Sequence, residues 1–155
     1  MMFYTHLAFS VLFASLWLRI FPSSDAVLFI ALAIFFGALP DIDTSKSKIG
    51  RKFPLISTII GFFFGHRGIF HTVYIPILLF VLSSYYFGFS LSAAILVGYI
   101  SHLIGDALTI QGIKPFQPLH NMEIRGFMAT GSIAELVLLV MLLVIDANLV
   151  FRAIG

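Results

Sequence analysis

Two histidines and an arginine crowd into His66-Arg67-Gly68-Ile69-Phe70-His71, at the threshold of a hydrophobic stretch. Further groups of the same chemistry are spread along the chain: His6, Asp41 and Asp43 in Leu-Pro-Asp-Ile-Asp, His102 with Asp106, and Glu135. Imidazoles and carboxylates bind metals and move protons. The chain has no cysteine, so thiolate sites and disulfides are excluded and any metal must use His, Asp, Glu or water. Such donors suit a hard or borderline divalent cation, Zn²⁺ first, with Mn²⁺ or Mg²⁺ as alternatives. Two ions about 3.5–4 Å apart would clamp a phosphoester and generate hydroxide near neutral pH.

Spacing sets what each group could do. His102 and Asp106 stand at i and i+4, so they share one helix face and could bind one ion, or act as a ligand and the carboxylate that orients it. Pro40 disfavours a helical Leu39, and an extended chain would point Asp41 and Asp43 the same way, where they repel unless a cation lies between them. His66 and His71 are about 140° apart on an ideal helix and converge only if Gly68 breaks it. Arg67 reads either as a positive anchor or as a bidentate phosphate contact. Lys114 and Arg125, in a later loop, could share that task. Glu135, early in the last helix, reads as a partner of the helix dipole or as a general base. His120 reads as a loop or capping residue. Asp146, about 16 Å further along that helix, is expected at the opposite surface.

The elements holding these groups are apolar. Of the 155 residues 60% are hydrophobic and 10% charged, with a mean hydropathy of +1.07, which excludes an ordinary soluble domain. A membrane helix needs about 20 apolar residues. Phe3–Phe21, Thr72–Phe89, Leu91–Ile110 and Gly131–Ile154 approach or exceed this, and Ser24–Leu39 pairs with the first as a hairpin after the turn Pro22-Ser23-Ser24-Asp25. The expected fold is an all-α polytopic bundle of about five membrane helices in a single domain, 1–155. Phe53–Gly65 is too short to cross and is expected as a re-entrant or interfacial helix. The first twenty residues lack a basic start and read as a retained helix. The loop Asp41–Lys52 carries Lys46, Lys48, Arg51 and Lys52, which places it on the cytoplasmic side of the membrane, leaving Arg19 and Arg152 as exceptions outside. The net charge of +2 is thinly spread beside apolar spans, so nucleic acid is not an expected partner. With this topology His6, Asp41, Asp43, His66, His71, His102, Asp106 and Glu135 all fall at the cytoplasmic end, where ionisable groups at membrane depth signal function.

Thr-His-Leu-Ala-Phe-Ser at the start, GALPDIDTSKSKIG, GHRGIFHT, GYISHLIGDALTIQGIKPFQP and the later TGSIAE resemble, in order, the YdjM family of inner-membrane-associated, LexA-binding proteins assigned as metal-dependent hydrolases. The resemblance covers nearly the whole chain. The set LPDxD, HRGxxH[ST] and HLxxDxxT is specific, and the HRxxxH signature is also similar to that of zinc-dependent phospholipases C. The resemblance implies His6, Asp41, Asp43, His66, His71, His102 and Asp106 as metal ligands. Pro115 and Gln117 depart from a more apolar family stretch, and no quoted motif carries the LexA association to this chain. The expected activity is hydrolysis of a phosphoester or related bond in a lipid or amphiphile, using one or two ions. A metal or proton transporter and a metal-stabilised structural or adaptor protein are the alternatives.

Overall fold

A computed structural model describes residues 1–43, 47–64 and 68–154. The described residues form no strand: helices α1 (Phe3–Ile20), α2 (Ala26–Ala38), α3 (Lys48–Lys52), α4 (Pro54–Phe64), α5 (Tyr74–Ala107) and α6 (Ile133–Ile154), with 3₁₀ turns at Leu39–Asp43 and Ile69–His71. Four of the described helical segments are long and apolar enough to cross a membrane: Phe3–Ile20, Ala26–Asp43, Tyr74–Ala107 and Ile133–Arg152. The exposed surface is correspondingly greasy, with Leu78, Val81, Tyr85, Val140 and Val144 all more than half exposed. Bare apolar faces of this kind are stable against lipid and not against water.

Helix α5 decides the architecture. Straight, its 34 residues would run about 50 Å. Yet His71, just before it, lies 3.3 Å from Asp106 at its far end. The chain reverses at Gly88, whose φ of 74° and ψ of 174° are not helical. Only glycine adopts that conformation without strain. The arms 74–87 and 89–107 fold back on each other: Val73, Ile75 and Leu79 pack on Tyr99 and Leu103, and the Tyr99 hydroxyl donates to Phe70 O at 2.8 Å. Together with α1, α2 and α6 they give five long apolar arms, where about five membrane helices were expected and four helices have membrane length.

The second arm meets α1 and α2 in a close core of Ala14, Leu18, Phe29, Ala33, Ala93, Ala94 and Val97. Gly37 and Gly98 allow the backbones to approach, since a Cβ on Gly98 would lie 2.8 Å from Ala33 Cα. Small residues at such crossings are how membrane helices gain packing contacts. Helix α6 runs beside α1, with Leu142 packed on Ala8 and Phe9. Glu135 fastens the start of α6 by accepting from Met2 N and Gly131 N, both at 2.6 Å.

Two expectations are corrected. Leu39–Asp43 is a 3₁₀ turn rather than extended, with Leu39 helical at φ −62°, ψ −40°. Proline fits early in a helical turn, where its fixed φ and missing N–H cost little, and here that outweighs the preference of the preceding residue. Asp146 is buried rather than at the opposite surface, at 6% exposure. It shares a face of α6 with Glu135, Leu139 and Leu142, the face turned to α1. Helix α4, eleven residues or about 16 Å, is too short to cross, as expected. Its Gly61 abuts the Asp43 carbonyl, which holds α4 against the end of the bundle that carries the acidic turn.

Candidate metal centre

The 3₁₀ turn after α2 projects Asp41 and Asp43 in different directions, because a two-residue step covers about 240° where three residues make a turn. Asp41 Oδ1 lies 3.9 Å from His102 Nε2, and Asp43 Oδ2 lies 3.1 Å from His71 Nδ1. His71 closes the 3₁₀ turn Ile69–His71 after Gly68. His102 and Asp106 sit on one face of the second arm of α5, 3.6 Å apart. His6 comes from the first turns of α1, with Nε2 3.4 Å from Asp106 Oδ1 and its ring stacked on His102 at 3.8 Å between centroids. His6, Asp43, His71, His102 and Asp106 are all buried, while Asp41 is partly exposed at the edge.

The distances have the shape of a ligand set. His71 Nε2, His102 Nε2 and Asp106 Oδ2 form a triangle with sides of 3.3, 3.3 and 3.6 Å. Ligands about 2.1 Å from a tetrahedral centre stand roughly 3.4 Å apart, so this triangle matches one face of such a site. Second partners fix both rings. His102 Nδ1 is 2.8 Å from Gly37 O, to which it can only donate, and that leaves Nε2 with its lone pair toward the cluster. Asp106 reaches both ways, Oδ1 toward the Met1 ammonium at 2.9 Å and His6 at 3.4 Å, and Oδ2 toward His71 and His102. His6, His102 and Asp106 form one group able to hold an ion, and Asp41, His71 and His102 another. The two groups share the single free nitrogen of His102, so the residues present fit one divalent cation in either group, and a second ion would need ligands other than His102.

Without a metal the carboxylates draw positive charge from the Met1 ammonium, 2.9 Å from Asp106 Oδ1, and from a proton on His71. Burial works against a charge on His71, but hydrogen bonds to Asp106 and Asp43 outweigh it and raise its pKa to about 9. Positive charge on His71 or a cation beside it satisfies the same carboxylates.

The chain carrying this cluster matches, over residues 1–154, the family model described as YdjM inner membrane protein. The chain belongs to the YdjM inner membrane protein family. The uncharacterized protein YvsG of Bacillus subtilis (strain 168) is 39% identical over 113 residues, 72% of this chain and 71% of the relative. The inner membrane protein YdjM of Escherichia coli (strain K12) is 34% identical over 110 residues, 66% of this chain and 50% of the relative, and that of Shigella flexneri matches equally. The aligned stretch spans about half the length of these two YdjM relatives. No solved structure matches.

Within this YdjM-family chain, six of the expected ligand residues come together: His6, Asp41, Asp43, His71, His102 and Asp106. His66 and Arg67, with Lys46 of the basic loop, lie outside the described residues. Glu135 is buried, and its two oxygens take the backbone amides of Met2 and Gly131, bonds that suit a clamp between α6 and α1. Lys114 is exposed, and Arg125 pairs with Glu123 at 2.9 Å. Both belong to a loop held by bridges Thr109–Met128 and Ile113–Ile124, and Val73 N donates to Pro115 O, so that loop lies beside the His71 turn. His120 is exposed there, accepting from Met122 N. The sequence reading passed over the Gly37 carbonyl. No side-chain pattern marks a backbone acceptor.

Proposed function

We propose that this membrane protein is a metal-dependent hydrolase that cleaves a phosphoester or related bond in a lipid or amphiphile at the cytoplasmic face of the inner membrane. The observation that carries the reading is the buried His71–His102–Asp106 triangle, extended on one side by Asp41 and on the other by His6. The resident ions, one or two and Zn²⁺ by preference, would polarise the phosphoryl group and supply hydroxide at neutral pH. His6, Asp41, His71, His102 and Asp106 would hold them. Asp43 orients His71 through Nδ1, and the Gly37 carbonyl orients His102. Lys114, Arg125 and Arg67 would neutralise an anionic headgroup. The cluster stands at the end of membrane helices, where a headgroup is within reach and its hydrocarbon chains can stay in lipid.

The test is turnover of a phospholipid, a polyprenyl phosphate and a soluble phosphodiester by purified protein supplied with Zn²⁺, Mn²⁺ or Mg²⁺. Turnover that vanishes in a folded His102→Ala variant supports the reading. Stoichiometric metal with no turnover of any probe defeats it. Collapse of the fold in His102→Ala, with no activity in the parent, favours a structural metal instead.

Ion transport is the second reading, favoured by Asp146, a carboxylate buried along α6 that has no hydrogen-bond partner among the described residues. Metal flux into proteoliposomes distinguishes it.

A further inference from the structure

The metal cluster occupies one end of the bundle, and the two arginines that the topology leaves unexplained occupy the other. Arg19 lies thirteen residues beyond His6 on α1, about 20 Å along the axis. Arg152 lies in the last turn of α6. The two helices run side by side in the same direction, so these arginines arrive at the same level. They line one cleft of about 230 Å³ together with Leu18, Pro22, Ser23 and Ala26. No acidic side chain lines it, and among the described residues neither guanidinium has an ion-pair partner. The nearby acid by sequence, Asp25, is engaged as the N-cap of α2, accepting from Leu28 N at 2.8 Å. Ser23 Oγ is 3.0 Å from Ser90 Oγ, which ties the cleft's rim to the reversal of α5.

Two guanidiniums sharing a cleft repel each other until an anion joins them, and their planar forks match phosphate oxygens better than any monodentate cation does. The remaining lining, Leu18, Pro22 and Ala26 with the hydroxyl-bearing Ser23, is mostly apolar, which suits an amphiphile with an anionic head. We propose that the Arg19–Arg152 cleft is a binding site for a phosphate group, separate from the metal cluster and independent of its activity. The phosphate comes either from a phospholipid headgroup in the leaflet opposite the cluster or from the aqueous phase.

The experiment compares delipidated protein in neutral detergent with the variant Arg19→Gln/Arg152→Gln, by titration calorimetry with inorganic phosphate, short-chain phosphatidylglycerol and short-chain phosphatidylcholine. Metal content measured on both shows that the cluster is unchanged, so the difference between the two proteins reports the cleft alone. The parent is expected to bind an anionic probe with an affinity that falls about tenfold per arginine removed. A fall confined to phosphatidylglycerol identifies a lipid headgroup, and an equal fall for inorganic phosphate identifies a soluble anion; either supports the site. Equal affinities in parent and variant, or no binding of either anion to the parent, overturn it. If the glutamine pair does not fold, Arg19→Lys/Arg152→Lys decides, because it keeps the charge and loses the fork: a fall of about fivefold or more supports the site and an unchanged affinity overturns it.

Discussion

His71 and His102 face each other Nε2 to Nε2 across 3.3 Å in a buried site. His102 is held by the Gly37 carbonyl and His71 by Asp43, so neither is set to turn away. If each ring is neutral and protonated on Nδ1, two lone pairs and an oxygen of Asp106 converge on one point. Such an arrangement is stabilised by positive charge, which the Met1 ammonium supplies 2.9 Å from Asp106 Oδ1 and which a proton on His71 or a metal cation supplies at the nitrogens. The proton and the metal compete for the same nitrogen, which gives the cluster a definite pH dependence.

Metal binding must displace the His71 proton, whose pKa is raised to about 9 in the metal-free protein. Affinity is therefore expected to fall about tenfold for each pH unit below 9 from this group alone. The metal-free protein behaves oppositely. A histidine whose folded pKa exceeds its unfolded value of about 6.5 contributes stability that is complete below 6.5 and is lost as pH rises through about 9. Thermal unfolding of chelator-treated protein at pH 6 and pH 9.5, beside metal titrations over that range, checks both signs. A metal-free protein more stable at the higher pH would contradict the coupling.

Asp43 acts on the cluster through His71 Nδ1. Asp43→Asn keeps the shape of the turn and weakens the acceptor, so metal affinity is expected to drop about 10–100-fold with the fold intact. Competition with a zinc-binding dye measures it. An affinity equal to the parent's would remove Asp43 from the design.

Gly98 and Gly88 separate packing from backbone conformation. A Cβ on Gly98 would press into the Ala33 backbone at 2.8 Å and force α2 from α5, and with it the Gly37 carbonyl from His102. Gly98→Ala should cost about 1–3 kcal/mol and reduce metal content as well. A Cβ on Gly88 meets nothing within 4 Å, so Gly88→Ala costs only what its backbone conformation imposes, about 1–3 kcal/mol, and metal content should stay at the parent level. Equal loss of metal in both variants would argue against the close crossing of α2 and α5 as the cluster's support.

Much of this site was legible in the sequence, because an ionisable group in an apolar span has few reasons to be there except function. His102 with Asp106, and the one-sided placement of His6, Asp41, Asp43 and His71, follow from counting residues along spans. The all-helical membrane fold follows the same way. What the pattern could not supply is conformation where two local preferences compete. Pro40 argued for an extended Leu39, whereas the chain takes a 3₁₀ turn that sends Asp41 to His102 and Asp43 to His71. Gly88 is one glycine among twelve, and only the fold shows that it carries the reversal. The Thr109–Met128 and Ile113–Ile124 bridges join residues with no shared periodicity, and the convergence of Arg19 with Arg152 depends on α1 and α6 running in parallel.

Asp146 offers the last test. Its oxygens have no hydrogen-bond partner among the described residues, and neither does the hydroxyl of Ser15 in α1, also buried. Glu135 meets Met2, Leu142 packs on Ala8 and Phe9, and Val150 packs on the cluster around Leu18, a register that sets Asp146 level with residues 12–16 of α1. A buried carboxyl without a partner costs about 1–3 kcal/mol, and leucine, larger but with the same branched skeleton, removes that cost. Asp146→Leu should therefore raise the thermal midpoint, leave the metal content unchanged, and preserve hydrolysis if hydrolysis is the function. Loss of ion flux in the same variant would instead make Asp146 part of a transport path, and a lower thermal midpoint would mean that α1 and α6 depend on it.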